Sequence, residues 1–138
     1  MKSLIFSTSI KWINPLLWVV SAWLLFRGHN APGGGFIAGL VASTSVIFKI
    51  LDKGWPAASF KMKDKLITLL GAGLLLSVLS GALALLVENP FMTGRWLTVF
   101  GIEMGSPQLF DCGVFLVVYA CVIICTGLVL KADEGNLS

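Results

Sequence analysis

Four apolar runs, parted by polar breaks of unequal length, set the plan of the chain. Residues 12–26, 36–48, 66–87 and 113–130 contain no Asp, Glu, Lys, Arg or His. A helix needs about 20 residues at ~1.5 Å each to cross ~30 Å of hydrocarbon, so these runs predict four membrane-spanning helices. The expected spans are 10–26, 34–51, 66–87 and 111–130, within one membrane domain covering residues 1–138. The third meets the length requirement outright. The first is short unless the helix begins near Leu4, which makes Asn14-Pro15 a kink inside it rather than a cap and first helical position. The second is shorter still, so either Lys49 snorkels and Gly33 to Gly35 lie at membrane depth, or the segment is partly re-entrant.

Small residues recur at a spacing of four in two of the runs: Gly35, Gly39 and Ser43, then Gly73, Ser77 and Gly81. Each series gives a helix face without bulk, against which another helix is expected to press. The connections differ in kind. Residues 52–65 carry Lys53, Lys61, Lys63 and Lys65 and read as a solvated loop or an anionic-lipid contact. Residues 88–109 are broken by Asn89-Pro90, Gly94, Gly101 and Gly105-Ser106-Pro107, and the aromatic and β-branched stretch 96–102 between the breakers predicts a short strand or hairpin. Residues 131–138 form a polar tail too short to fold.

Composition agrees with the pattern. Hydrophobic residues make up 57% of the chain and its mean hydropathy is +0.90, which is the composition of an all-α integral membrane protein. A net charge of +3 from few charges gives no basic face for nucleic acid. It does report topology. Four spans place every lysine on or beside the side that holds both termini, and Arg27 and Arg95 on the other, so the N- and C-termini are expected in the cytoplasm. Lys11 interrupts the first run and no small-residue cleavage site follows, so the first span is expected to stay in the mature chain. Cys112, Cys121 and Cys125 form no Cys-x-x-Cys pair and no four-ligand metal set, and read as small apolar packing residues. No cofactor or metal is called for.

The break between the first two runs is the richest in special residues: Arg27-Gly28-His29-Asn30-Ala31-Pro32-Gly33-Gly34-Gly35-Phe36. Gly28 suits a helix end with Arg27 at the negative end of its dipole, and Pro32 suits the start of the next helix. Gly33, Gly34 and Gly35 permit positive φ or very close backbone approach. They lack the Lys-Ser/Thr of a phosphate loop and the βαβ setting of a dinucleotide loop. From Gly28 through Pro32 and Phe36 to Gly39 and Leu40, this stretch resembles the signature of the MnhB/MrpB family, the B-type component of the multisubunit sodium/proton antiporters of the Mrp or Mnh type. The sequence Leu109-Phe110-Asp111-Cys112-Gly113-Val114 resembles the opening of that family's last helix, and the likeness runs from about residue 12 to 130.

The resemblance implies obligate hetero-oligomeric assembly with other antiporter subunits, the larger of which carry the pumping machinery. It implies exchange of cytoplasmic sodium for external protons by the assembly, a multi-pass place in a prokaryotic plasma membrane, and contact with membrane lipid. Consistent with a non-catalytic member, the four apolar runs lack the midplane ionisable group that an autonomous cation carrier uses. The ionisable candidates cluster toward the outer end. Asp111 reads as a helix cap or an ion contact, Glu88 and Glu103 as solvated groups or ion contacts, and His29 as a loop-fixing residue or a proton relay. Gly28, Asn30, Pro32, Gly33, Gly34, Gly35, Phe36 and Gly39 read as structural and interfacial. The expected role is a subunit interface and one wall of an ion route. A membrane-arm subunit of a redox complex, such as a membrane-bound hydrogenase, is the alternative. The identity of the partners separates the two.

Overall fold

The computed structural model describes residues 4–27, 34–53, 59–82, 96–99 and 102–136. They form α1 (Leu4–Arg27), α2 (Gly35–Lys53), α3 (Ser59–Ala82), β1 (Trp96–Val99), β2 (Ile102–Gly105) and α4 (Ser106–Asn136). All four helices are long and apolar enough to cross a membrane. The two strands make an antiparallel hairpin with Val99 opposite Ile102 and Trp96 opposite Gly105, where the β-branched stretch predicts one.

Several helix ends differ from the apolar limits. The first helix starts at Leu4 and takes Pro15 into its interior, because a residue lacking an N–H costs one intrahelical hydrogen bond while a 15-residue segment would not reach across. The third starts at Ser59, so Lys61, Lys63 and Lys65 belong to its first turns rather than to a loop. Lysine is a good helix former, and the helix continues beyond the hydrocarbon. Helix α4 likewise runs on to Asn136, so the tail expected to be unfolded is largely its last turns. At the other end, Gly105 N–H donates to Gln108 Oε1 at 3.3 Å, half of a capping box, and Pro107 sits in the first turn where its missing N–H costs little.

The packing is arranged around the last helix. Helix α4 lies between α2 and α3, and α1 packs mainly against α2 while also touching α4. The interior is narrow: Ile50, Leu66, Ala120 and Ile123 are buried together, with Val46, Leu69 and Tyr119 packed around them. The outside is apolar, with Trp12 79%, Phe26 76% and Leu75 64% exposed. This is the distribution a lipid solvent or partner helices favour, and small polar residues such as Ser21, Ser43 and Ser45 are among the buried ones. Cys121 and Cys125 also face outward, so they do not pack in the interior of this chain.

Polar groups tie α1 to α2. Asn14 Nδ2 donates to the Ser45 carbonyl at 2.8 Å, and Ser45 Oγ donates back to Asn14 Oδ1 at 3.0 Å. Ser21 Oγ donates to the Ala38 carbonyl at 2.8 Å. Asn14→Leu is expected to lower the stability of the chain by about 1 kcal/mol, the usual worth of interhelical hydrogen bonds in membranes. In a double-mutant cycle on the thermal midpoint of the purified complex, Ser45→Ala should add little once Asn14 is gone; fully additive losses would mean that the pair is not coupled.

Candidate functional site

The start of α2 is built for close approach. Gly34 has φ +102°, a left-handed conformation that side chains avoid. Its N–H donates to the Leu24 carbonyl at 3.1 Å, satisfying one orphan acceptor of α1's last turn, and its own carbonyl accepts from Ala38 N–H at 3.1 Å, the first bond of α2. One residue thus ends one helix and opens the next. Arg27 lies over the Trp23 ring at 4.4 Å, which holds the last side chain of α1 along its own helix.

Helix α4 presses on this start. A Cβ at Gly34 would stand 3.3 Å from Asp111 Oδ2, and one at Gly35 would run into the Asp111 backbone carbonyl. At Gly39 it would stand 3.0 Å from the Phe115 carbonyl oxygen and from Val118 Cβ. On its other side α4 meets α3 just as closely. A Cβ at Gly73 would lie 2.8 Å from the Gly113 carbonyl oxygen, and one at Gly113 would strike Ser77 Oγ. Tyr119 stacks on Phe115 with ring centres 6.1 Å apart, and Trp18 of α1 tilts against it at 5.9 Å, so α1 also reaches this seam.

Asp111 does not begin a helix. It lies in the second turn of α4, which starts at Ser106, and its half-buried carboxylate lies against Gly34 at the start of α2. There it faces the positive end of the α2 dipole. Of the other residues singled out in the sequence, Phe36 is 58% exposed on α2 and Glu103 sits in β2 opposite Thr98. Gly28, His29, Asn30, Pro32, Gly33 and Glu88 lie outside the described residues. Among the described residues no group of three or more His, Cys, Asp or Glu side chains is placed to hold a metal. The arrangement joins helices at backbone distance and offers one carboxylate near the start of α2.

Residues 5–124 match the family model described as a domain related to the MnhB subunit of Na+/H+ antiporter. The chain belongs to this MnhB family. It is 36% identical over 120 residues to the Na(+)/H(+) antiporter B subunit of Bacillus subtilis (strain 168), covering 83% of this chain and 84% of that one. It is 28% identical to the protein of the same name from Alkalihalophilus pseudofirmus, over 85% of this chain and 83% of that one. A probable K(+)/H(+) antiporter A/B subunit of Rhizobium meliloti (strain 1021) is 32% identical over 86% of this chain but only 12% of its own length. Among solved structures, one chain of the Mrp complex from Dietzia sp. DQ12-45-1b superposes with a TM-score of 0.73 at 23% identity, over 87% of this chain and 13% of that one, and shares the fold.

Two features of this MnhB chain escape a reading of single motifs. One is the position of α4 between α2 and α3, signalled by the buried small residues Gly113, Ala120 and Gly127 at a spacing of seven. The other is the Asn14–Ser45 pair, whose members lie in different apolar runs and carry no mutual signal in the sequence.

Proposed function

We propose that this chain is the non-catalytic MnhB-type member of a multisubunit sodium/proton antiporter in a prokaryotic plasma membrane, with both termini in the cytoplasm. The match of residues 5–124 to the MnhB family carries the reading. The small-residue seam supports it, because a chain whose helices meet at backbone distance is suited to hold a fixed shape in a larger assembly. The relative whose name joins A and B, in which this domain is 12% of one long chain, supports an A-type component as a direct, equimolar neighbour. Asp111 then stands on an outer wall of the assembly, whose larger subunits pass the cations or protons.

Gentle extraction from native membranes, native mass measurement and identification of all co-migrating chains test the proposal. Large antiporter subunits without iron–sulfur or nickel proteins are expected; co-purifying redox subunits would replace it with a hydrogenase-type role. Asp111→Asn is expected to leave sodium-driven proton exchange in everted vesicles within about threefold of wild type, as a carboxylate that helps set a helix junction keeps most of its contacts as an amide. Complete loss of exchange in a normally assembled complex would make Asp111 an ion-route residue.

A further inference from the structure

Lysines converge where α1 begins and α2 ends. Lys11 of α1 and Lys49 and Lys53 of α2 line one cavity of about 310 Å³ together with Ser7, Asn14 and Asp52. Helical spacing brings them there: Ser7, Lys11 and Asn14 share a face of α1, and Lys49, Asp52 and Lys53 share one of α2. Asn14, only 6% exposed and bonded to Ser45, closes the deep end. Ser7 Oγ donates to Asp52 Oδ2 at 3.3 Å, which draws that carboxylate toward the α1 wall.

The three lysines are exposed, and their charge suits an anion. Three lysines share the cavity with a single carboxylate, so it is net positive. Lys49 and Lys53 stand one turn apart on α2 and repel each other. The negative end of the α2 dipole accounts for Lys53, in its last turn, but not for Lys11 arriving from another helix. Depth narrows the choice. The apolar spans run Ile5–Arg27 and Gly35–Lys53, which places Lys11 about 9 Å and Lys49 about 6 Å in from the helix ends, at the level of phospholipid headgroups. A volume worth roughly ten waters at ~30 Å³ each admits a glycerophosphate group.

We propose that this cavity binds the phosphate of an anionic phospholipid of the inner leaflet, with Lys11, Lys49 and Lys53 as its cationic ligands and Asp52 accepting a hydroxyl of the headgroup. Basic pockets between membrane helices on the cytoplasmic side recognise lipids in this way. The site requires the four helices to cross a bilayer with the lysine end inward, and it is independent of which ion the assembly transports.

The test uses the whole purified complex, stripped of lipid, with phosphatidylglycerol or phosphatidylcholine added in mixed micelles and bound lipid counted by native mass spectrometry. Wild type is expected to retain phosphatidylglycerol over phosphatidylcholine. Affinity should fall about fivefold for each lysine changed to glutamine among Lys11, Lys49 and Lys53, at ~1 kcal/mol per basic residue near the surface. The triple arginine variant should keep it. Removing the same charge at Lys63, Lys65 and Lys131, which are exposed like the three cavity lysines but do not line the cavity, should change little. If the triple glutamine complex fails to assemble, Lys49→Gln alone decides by the same fivefold criterion. Unchanged lipid retention, or an equal loss in the control, overturns the proposal. So does full displacement by millimolar inorganic phosphate, which assigns the cavity to a free anion. Loss of the chain from the complex with no change in bound lipid assigns it instead to an acidic segment of a partner. Redox partners in the preparation would refute the antiporter reading and leave the lipid measurement intact.

Discussion

Gly35→Ala is expected to separate α2 from α4 and to remove most of the chain from its assembled complex. The added methyl would fall on the Asp111 carbonyl oxygen and within 2.8 Å of its carbon and 3.0 Å of Phe115 N. All three are backbone atoms of a helix and cannot rotate away, so relief requires moving the helix. Overpacking of this kind costs about 1–3 kcal/mol even where side chains give way, and a backbone clash lies at or above the upper end. Gly71 supplies the control. Nothing lies within 4 Å of a Cβ there, so Gly71→Ala should be neutral or stabilising by up to ~1 kcal/mol through helix propensity. The thermal midpoint and the assembled fraction of both variants, measured in parallel, decide the matter. Equal behaviour would contradict the spacing of α2 and α4.

The second large effect is expected at Gly113, on the opposite side of the same helix. Its Cβ would strike Ser77 Oγ and lie 2.7 Å from the Gly73 carbonyl oxygen and 2.8 Å from Ser77 N. Gly113→Val should therefore push α4 off α3, at a cost of about 3 kcal/mol or more. Ser77→Ala should rescue little of this loss, because two of the three obstructing atoms are main chain. It would also free the Phe110 carbonyl that Ser77 Oγ approaches at 3.5 Å. Cysteine cross-linking between α3 and α4 in native membranes reads the displacement directly. Substantial rescue by Ser77→Ala would place the obstruction in the side chain and argue for a looser seam.

The four helices were legible because hydrocarbon thickness imposes a length that the apolar runs must approach, and the hairpin because the stretch 96–102 is rich in aromatic and β-branched residues. The ends were less so. Lys61, Lys63 and Lys65 are helical in spite of their charge, since the boundary of an apolar run marks where lipid stops and a helix ends only when its caps do. Gly35, Gly39, Gly73 and Ser77 were readable as faces for a neighbour, while the identity of that neighbour, α4 for both, required the fold. Asp111 illustrates the limit most clearly. An aspartate just before an apolar run looks like a cap of its own helix, yet α4 has already begun at Ser106 and the carboxylate serves the junction with α2. The lysines of the cavity flank two different runs in the sequence, and only the antiparallel placement of α1 and α2 brings Lys11 to Lys49 and Lys53.

The central place of α4 also governs how the protein is made. Helices α2 and α3 are joined mainly through α4, which follows both of them in the chain. During synthesis α1 and α2 can pair through Asn14 and Ser45, but the faces of Gly35, Gly39 and Gly73 stay unfilled until α4 enters the bilayer. Most of the tertiary structure therefore waits for α4, which acts as the keystone. A nascent chain stopped before residue 106 holds three inserted helices and two unfilled glycine grooves, which is the form that membrane quality control would meet.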